Sequence, residues 1–279
     1  MNPMKLNDIE DGTKVYKFRD CNPQYIPVSK EGDTYNNLQL NNKYILCEKK
    51  IWSISSLLNN EFWAATPESL NDVSEIYTLN NFKEEKINSF NNKTINLIKG
   101  ITENNTTEKE MRKELGLISD EAYRVSIAQN FSNYGVFCTS FCPTNPNLWA
   151  LYSDSSRGFA IEYDLKSLYL STNPADIFPI RYNQDMETIY GNGIMAPGHF
   201  YCQKSDYFEK EEEFRFLYEK SGIVKYEPNC VTGIIFGSNM CEKNRKQLHK
   251  LISTKLKNIN FMQAIHKKDN FGFDIVKWE

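Results

Sequence analysis

The sequence predicts an α+β fold in which a mainly antiparallel sheet forms the core and a helical insertion interrupts it. Stretches that alternate bulky and polar residues outnumber stretches with helical spacing, and short turns join most of them. Residues from about 80 to 133 differ, because they are rich in helix formers and asparagine. No low-complexity linker divides the chain, so we expect residues 1–279 to form one domain around that insertion.

In the first half of the chain, turn-rich polar segments separate the expected elements. Strands are predicted at residues 14–19, 43–47 and 61–65, a loop at 22–42, and turn chemistry at 69–72. Ile54, Leu57 and Leu58 form an apolar stripe that predicts a helix at residues 53–60. Inside the insertion, Thr107 and Glu110 form a capping box, and a second helix is expected at residues 120–131.

The second half of the chain is dominated by short strands. They are predicted at residues 136–142, 159–163, 177–182 and 231–236, and a closing hairpin is predicted from 260–265 and 271–278. Asn145 and Pro146 mark the start of a short helix that runs to residue 152. A longer helix with Leu248, Leu251, Ile252 and Leu256 on one face is expected after a cap at Ser238 or Asn239. The glycine-rich residues 183–201 are expected to form a loop.

Composition narrows the class of protein. No apolar run approaches the roughly 20 residues that a membrane span needs, and the first ten residues are polar, so a cytoplasmic protein is expected. A net charge of -3 gives no general attraction to nucleic acid or to an anionic membrane. The seven cysteines are scattered and the three histidines are far apart, so no metal site is expected.

The richest candidate site is the run from Tyr207 to Arg215, which sets four glutamates beside three aromatic rings. Alternation in the residues after it favours a strand, and in a strand Glu211 and Glu213 share a face. Two carboxylates beside apolar side chains are costly to bury unless they meet a cation, a ligand or water. The alternative is a solvated charged face, which is the usual meaning of such a run.

An ordered series of segments resembles a known bacterial family. The segments are residues 16–19 (YKFR), 62–72 (FWAATPESLND), 137–141 (FCTSF), 148–154 (LWALYSD), 157–164 (RGFAIEYD), and Lys204 with Phe208, Glu211, Glu213, Phe214 and Arg215. Together they resemble the domain-of-unknown-function family twenty-nine seventy-one, a label that implies no settled activity. The chain departs from that family's pattern at Phe208 and Phe214, where tryptophan is more common, and at Val73, where proline is usual.

A second resemblance concerns chemistry. Arg19, Thr139-Ser140 and Glu211-x-Glu213 follow the order of motifs in mono-ADP-ribosyltransferases of the arginine–serine–glutamate type. That resemblance implies NAD as a substrate, with Arg19 on the pyrophosphate and Ser140 orienting the ribose and the glutamate. Glu213 would stabilise an oxocarbenium-like transition state, and Glu211 would activate the acceptor, which can be a macromolecule.

Three aromatic residues complete the cofactor-binding set that we predict, namely Tyr16, Trp149 and Tyr152. The function expected from these features is that of a cytosolic bacterial effector, a toxin or an antiviral-defence protein, which transfers ADP-ribose or cleaves NAD. Structural alternatives stand beside these roles: Trp149 and Tyr152 as a core stripe, Ser140 as a polar strand residue that faces solvent, and the glutamates paired with Lys204 and Arg215.

Two other functions stay open at the level of the sequence. One is a binding module that senses a small molecule or a nucleotide through Trp149, Tyr152, Arg157 and Glu213. The other is a nuclease in which Asp206, Glu211 and Glu213 hold magnesium. The acidic balance of the chain does not favour the nuclease.

Overall fold

The computed structural model describes residues 4–21, 52–70, 133–184 and 202–278. Its helices are α1 (Trp52–Leu58), α2 (Pro146–Tyr152), α3 (Leu165–Thr172) and α4 (Glu242–Lys255). Its strands are β1 (Lys14–Arg19), β2 (Glu61–Ala64), β3 (Gly135–Ser140), β4 (Phe159–Asp164), β5 (Asp176–Pro179), β6 (Arg181–Asn183), β7 (Gln203–Ser205), β8 (Glu213–Tyr218), β9 (Gly222–Lys225), β10 (Val231–Phe236), β11 (Asn260–His266) and β12 (Phe273–Lys277). The predicted loop at 22–42, the strand at 43–47 and nearly all of the insertion at 80–133 lie outside the described residues.

One eight-stranded sheet dominates the fold. Its strand order is β12-β11-β10-β4-β1-β3-β8-β5, and every neighbouring pair is antiparallel except β10 with β11. The predicted α+β class with a mainly antiparallel sheet is therefore confirmed, as is the closing hairpin, which is formed by β11 and β12. Within the described ranges, no helix has the length and apolar character needed to cross a bilayer.

Both faces of the sheet are covered, because its central strands carry bulky apolar residues on both sides. The larger core packs α1, α3 and α4 on one face, through Ile54, Leu57, Leu165, Leu168, Leu248 and Ile252 against residues such as Val15, Phe137 and Phe216. The smaller core packs α2 on the other face, through Leu148 and Trp149 against Phe18, Ala160, Ile235 and Phe273. A polar residue in one of these central strands therefore has a buried side chain.

Several predicted boundaries shift. The strand expected at 177–182 divides into β5 and β6, and the helix expected to follow a cap at Ser238 or Asn239 begins instead at Glu242. Helix α3 was not predicted, although Asp164 caps it by accepting a hydrogen bond from the Ser167 N–H at 2.9 Å. The strand reading of the glutamate run is wrong for Glu211, which ends a 3-10 helix at Asp206–Glu211.

The sheet opens at one place. Strand β1 pairs with β4 along all six residues, but it pairs with β3 only where Tyr16 lies opposite Ser140. Beyond that pair, Val136 of β3 forms a bridge with Ala65 instead of with β1. The two strands consequently diverge, and a gap forms in the middle of the sheet.

Candidate functional site

A cleft of about 410 Å³ lies at the gap between β1 and β3. It is lined by four cationic, three acidic and four aromatic side chains. The cationic ones are Lys17, Arg19, Lys204 and Arg215, the acidic ones are Asp20, Glu211 and Glu213, and the aromatic ones are Tyr16, Phe18, Trp52 and Tyr152. Ser140 and Cys138 also line the cleft. Charged and aromatic groups in one hollow suit a ligand with an anionic part and a flat ring.

The cleft contains six of the seven predicted site residues. Arg19, Ser140 and Glu213, which are far apart in the sequence, meet there together with Glu211, Tyr16 and Tyr152. The exception is Trp149, which is fully buried in the smaller core between Phe18 and Phe273. Trp149 is therefore a core residue, as the structural alternative predicted, and we withdraw it as a ligand contact.

Strand register explains how Ser140 and Glu213 come together. Ser140 of β3 lies opposite Tyr16 on one side and opposite Glu213 of β8 on the other. Directly opposed residues point to the same face of a sheet, so these three side chains share the face that carries α2. Two residues along, Cys138 lies opposite Arg215 on that same face. Spacing by two therefore sets the polar groups of three strands side by side.

The Ser140 hydroxyl is occupied by the protein itself. It donates a hydrogen bond to the backbone oxygen of Glu211 at 2.6 Å and accepts one from the Cys142 N–H at 2.9 Å. The side chain is only 3 % exposed, so the solvent-facing alternative for Ser140 is wrong. These two hydrogen bonds hold the end of the 3-10 helix against β3, so Ser140 positions the backbone of Glu211.

Glu213 is gripped by Arg215 through two hydrogen bonds. Arg215 Nε donates to Oε1 at 2.7 Å and a terminal nitrogen of the guanidinium donates to Oε2 at 3.0 Å. Arg215 is 1 % exposed and Glu213 is 7 % exposed, so this pair lies in the interior. A bidentate guanidinium–carboxylate pair fixes both the distance and the plane of the carboxylate.

Lys204 joins the two predicted carboxylates. Its Nζ lies 2.7 Å from Oε2 of Glu211 and 3.2 Å from Oε2 of Glu213, and it also lies 4.5 Å from the centre of the Phe208 ring. Lys204, Glu211, Glu213 and Arg215 thus form a buried group with two positive and two negative charges, which we call the β8 wall of the cleft. In this wall an ammonium lies between the two glutamates.

The pKa values of the β8 wall follow from this pairing. Burial alone would raise the pKa of Glu213, but the charges and hydrogen bonds of Arg215 and Lys204 outweigh it and lower that pKa to about 2. Burial opposes the charge on Lys204 as well, yet Glu213 and Glu211 raise its pKa above the ordinary value. Glu213 is therefore held ionised, and Lys204 is held protonated, near neutral pH.

The opposite wall, which we call the β1 wall, consists of Lys17 and Arg19. Within the four described ranges, neither side chain takes part in an ion pair, and Nε of Arg19 is buried without a hydrogen-bond partner. Burial lowers the pKa of Arg19, and burial together with the Arg19 charge lowers the pKa of Lys17 to about 8. The positive charge of the β1 wall is therefore not neutralised by an ion pair with any of the described residues.

A tight turn fixes the end of β1. Asp154, Ser155 and Ser156 all have left-handed backbones, with φ of 50°, 52° and 64°. The turn delivers Gly158 directly against Arg19, because a Cβ at Gly158 would lie 2.0 Å from the Arg19 backbone oxygen. Only glycine permits this approach, so the loop that carries it sets the position of Arg19.

Sequence reasoning missed several groups in the cleft, among them Lys17 and Cys138. Lys17 Nζ donates to the backbone oxygen of Cys138 at 2.7 Å, across the gap between β1 and β3. The Cys138 thiol helps to lower the pKa of Glu213 through a hydrogen bond. The available signal was a lysine flanked by Tyr16 and Phe18 in a strand expected at the centre of the sheet, where a charged residue needs an explanation.

Arg157, which was part of the predicted sensing pocket, lies outside the cleft. It forms a bidentate pair with Asp154 at 2.9 and 2.8 Å on the exposed surface of the turn.

Comparisons of the chain with protein-family models, with curated proteins and with solved structures found no match. The functional conclusion therefore depends on the geometry and chemistry of the cleft.

Proposed function

We propose that this protein binds NAD in the cleft between β1 and β3 and cleaves the bond between its nicotinamide and its ribose. The observation that carries the proposal is the meeting of Arg19, Ser140 and Glu213 in one cleft of about 410 Å³. The same cleft offers aromatic rings for a flat base and a wall of positive charge for a diphosphate.

Each wall has a separate task in this proposal. The β1 wall binds the diphosphate, because Lys17 and Arg19 supply two positive charges without an ion-pair partner in the described part of the chain. The β8 wall presents Glu213 as a fixed anion beside the reacting ribose. When nicotinamide leaves with the electrons of the glycosidic bond, positive charge develops on the ribose, and a nearby carboxylate stabilises it.

The roles of two predicted residues change in the proposal. Ser140 acts through Glu211, whose backbone it holds, and does not contact the ribose. Glu211 forms an ion pair with Lys204, so it helps to hold Lys204 against Glu213. That pairing makes Glu211 a poor general base for the activation of an acceptor. Water is the simplest acceptor for such a site. A cytoplasmic effector, either a toxin or an antiviral-defence protein, is the biological setting that suits an enzyme which depletes NAD.

The Cys138 thiol marks the place where Glu213 can meet a substrate. Three hydrogen bonds from Arg215 and Lys204 leave one of the four lone pairs of this carboxylate, and the thiol bonds to Glu213 as well. A thiol is a weak donor, so a ribose hydroxyl can displace it at small cost.

An NAD turnover assay tests the proposal with Glu213→Gln and the matched variant Glu212→Gln. Glu212 is the exposed neighbour of Glu213, so its substitution changes the same chemical group outside the cleft. We expect Glu213→Gln to lose about a hundredfold or more in kcat and Glu212→Gln to retain it. In a bacterial host, only the wild type and Glu212→Gln should lower cellular NAD. Equal rates for Glu213→Gln and wild type would overturn the catalytic role.

A second candidate function is a nucleotide sensor without turnover. The observation that favours it is the complete pairing of Glu213, which is the state of a structural carboxylate. In that case calorimetry would detect NAD binding without nicotinamide release, and Glu213→Gln would change affinity alone.

We do not propose the nuclease, because Lys204 Nζ lies between Glu211 and Glu213 where a metal ion would have to bind.

A further inference from the structure

The amine of Lys17 occupies an unusual place in the fold. It lies in the gap between β1 and β3, where its Nζ donates to the Cys138 oxygen at 2.7 Å and lies 5.3 Å from the centre of the Phe137 ring. It also lines the cleft, so a ligand in the cleft can reach it. A lysine here is both desolvated and accessible, a combination found in lysines that act as nucleophiles.

Burial, together with two neighbouring cations, shifts Lys17 toward its neutral form. Arg19 on its own strand and Arg215 on β8 both oppose the ammonium, whereas Cys138 on β3 and Glu213 on β8 support it. The charge of Glu213 is already matched by Arg215 and Lys204. Burial and the cations prevail, so the pKa of Lys17 falls to about 8. Near neutral pH most of the amine is still charged and can attract an anion, but far more of it is neutral than for an ordinary lysine.

Arg19 adds a requirement for an anion. Its Nε is buried without a hydrogen-bond partner among the described residues, and its guanidinium lines the same cleft as Lys17. A buried donor of this kind is costly unless an acceptor satisfies it, and the oxygens of a phosphate group match the geometry of a guanidinium. A ligand that reacts with Lys17 is therefore favoured when it also carries a phosphate.

We propose that Lys17 is a carbonyl-reactive amine, which forms an imine with small aldehydes that bear a phosphate group. The nitrogen lone pair attacks the carbonyl carbon and forms the C–N bond. The carbonyl oxygen leaves as water after it takes up both amine protons, so no oxidant or reductant is needed. The neutral amine can donate one N–H to Cys138 while its lone pair makes the attack. This reactivity goes beyond NAD cleavage and does not depend on it.

Lys204 is a control within the same cleft. It has the same functional group and lines the same hollow, but it forms ion pairs with Glu211 and Glu213 at 2.7 and 3.2 Å. Those carboxylates raise its pKa, so its amine stays protonated and unreactive. The proposal thus requires selectivity between two lysines that share one cleft.

The test is labelling of the full chain with pyridoxal 5′-phosphate, followed by reduction with borohydride and mapping of the modified peptide by mass spectrometry. We expect one dominant adduct, on Lys17, with a labelling rate that rises through about pH 8. Lys17→Arg should lose that adduct, and Lys204→Arg should keep it. Arg19→Gln should slow labelling by pyridoxal 5′-phosphate about tenfold or more while labelling by pyridoxal, which lacks the phosphate, changes little.

Two results would overturn the proposal. Adducts spread evenly over the exposed lysines, or a preference for Lys204, would refute a reactive Lys17. Equal labelling by pyridoxal and its phosphate in the wild type would refute the role of Arg19. Site mapping on the wild-type protein decides the first question even if Lys17→Arg folds poorly. Nicotinamide release from NAD is a separate readout, so its failure leaves the labelling result unaffected.

Discussion

The two walls of the cleft contain the same kinds of cation in opposite situations. In the β8 wall, Lys204 and Arg215 are matched by Glu211 and Glu213 at distances of 2.7 to 3.2 Å. In the β1 wall, Lys17 and Arg19 have no ion-pair partner among the described residues, and burial lowers the pKa of both. The β8 wall is paired within the protein, whereas the β1 wall is the part of the cleft to which we assign an anionic ligand.

This difference teaches how one fold can combine rigidity with binding. A buried charge that is fully paired fixes geometry, because removal of either partner leaves the other uncompensated. A buried cation without a partner costs stability in the empty protein and contributes that energy to an anionic ligand. The predictions below separate the two walls by these opposite costs.

The largest effect is expected when the clamp on Glu213 is broken. Arg215→Met leaves a buried carboxylate whose one remaining ion pair among the described residues is with Lys204, so we expect a loss of about 3 to 5 kcal/mol in the free energy of unfolding. Urea denaturation at pH 7 measures it. The matched control is Arg157→Met, which breaks an exposed bidentate pair with Asp154 and should cost less than about 1 kcal/mol.

A double variant checks the cause of that loss. If the cost arises from an unpaired Glu213, then Arg215→Met with Glu213→Met should recover part of the stability. A loss below about 1 kcal/mol for Arg215→Met alone would mean that the β8 wall is not a tightly coupled unit.

The second-largest effect is expected when acid protonates Glu213 and lowers the stability of the folded protein. The pKa of Glu213 is about 2 in the folded protein and 4.5 ordinarily, so the unfolded chain binds more protons between these values. The stabilisation is complete above pH 4.5 and is lost as the pH falls toward 2. It amounts to as much as about 3 kcal/mol at 1.36 kcal/mol per pKa unit. Denaturation curves from pH 5 to pH 2.5 should show this slope in wild type and Glu212→Gln, and a smaller one in Glu213→Gln.

A smaller effect is expected when the β1 wall loses its lysine. Lys17→Met removes a charge that burial disfavours, but it also removes the hydrogen bond to Cys138, so the two changes largely cancel. We expect stability at pH 7 to change by about 1 kcal/mol or less. A loss as large as that of Arg215→Met would show that both walls are built alike.

Lys17→Met also makes a prediction about pH. Because the folded pKa of Lys17, about 8, lies below its ordinary value of 10.5, the unfolded chain binds more protons between them. Wild-type stability should therefore rise relative to Lys17→Met as the pH increases from 8 to 10.5. A relative fall over this range would contradict the sign of the shift.

The smallest effect is expected at the turn that supports the end of β1. Ser155 is exposed and has a φ of 52°, a left-handed conformation that costs side-chain-bearing residues roughly 1 to 2 kcal/mol. Ser155→Gly relieves it but adds freedom to the unfolded chain, so a gain of up to about 1 kcal/mol is expected in thermal or urea unfolding. Ser155→Ala should show no gain. Destabilisation by Ser155→Gly would mean that the turn is not strained.

Local patterns predicted much of this fold. Short runs of bulky residues bounded by turn residues located β1, β3, β4 and β10. The succession of Asn145 and Pro146 located the start of α2, where the Asn145 side chain accepts a hydrogen bond from the Asn147 N–H. Helix α3 escaped because β4 runs directly into it, with Asp164 serving both elements. Such overlap leaves no turn residues to mark the boundary.

The sequence predicted most residues of the candidate site, but not how their charges are paired. Motif order selected Arg19, Ser140 and Glu213. The register of β3 with β8 places Ser140 beside Glu213, whereas Arg19 reaches the same cleft across the gap between β1 and β3. The sequence offered the pairing of the glutamates with Lys204 and Arg215 only as an alternative, and the structure shows that pairing. No local pattern could decide it, because Lys204 lies on β7, outside the main sheet. Trp149 was misassigned because a residue spacing of three on a helix serves a core and a ligand platform equally well.

The asymmetry of the two walls is tested most directly by an NMR titration of the lysine side chains, with the signals of Lys17 and Lys204 assigned through their arginine variants. We predict that the Lys17 amine titrates near pH 8, while Lys204 stays charged beyond the ordinary lysine pKa of 10.5. Both amines titrating near 10.5, or Lys204 losing its proton first, would contradict the division of the cleft into a paired wall and an unpaired wall.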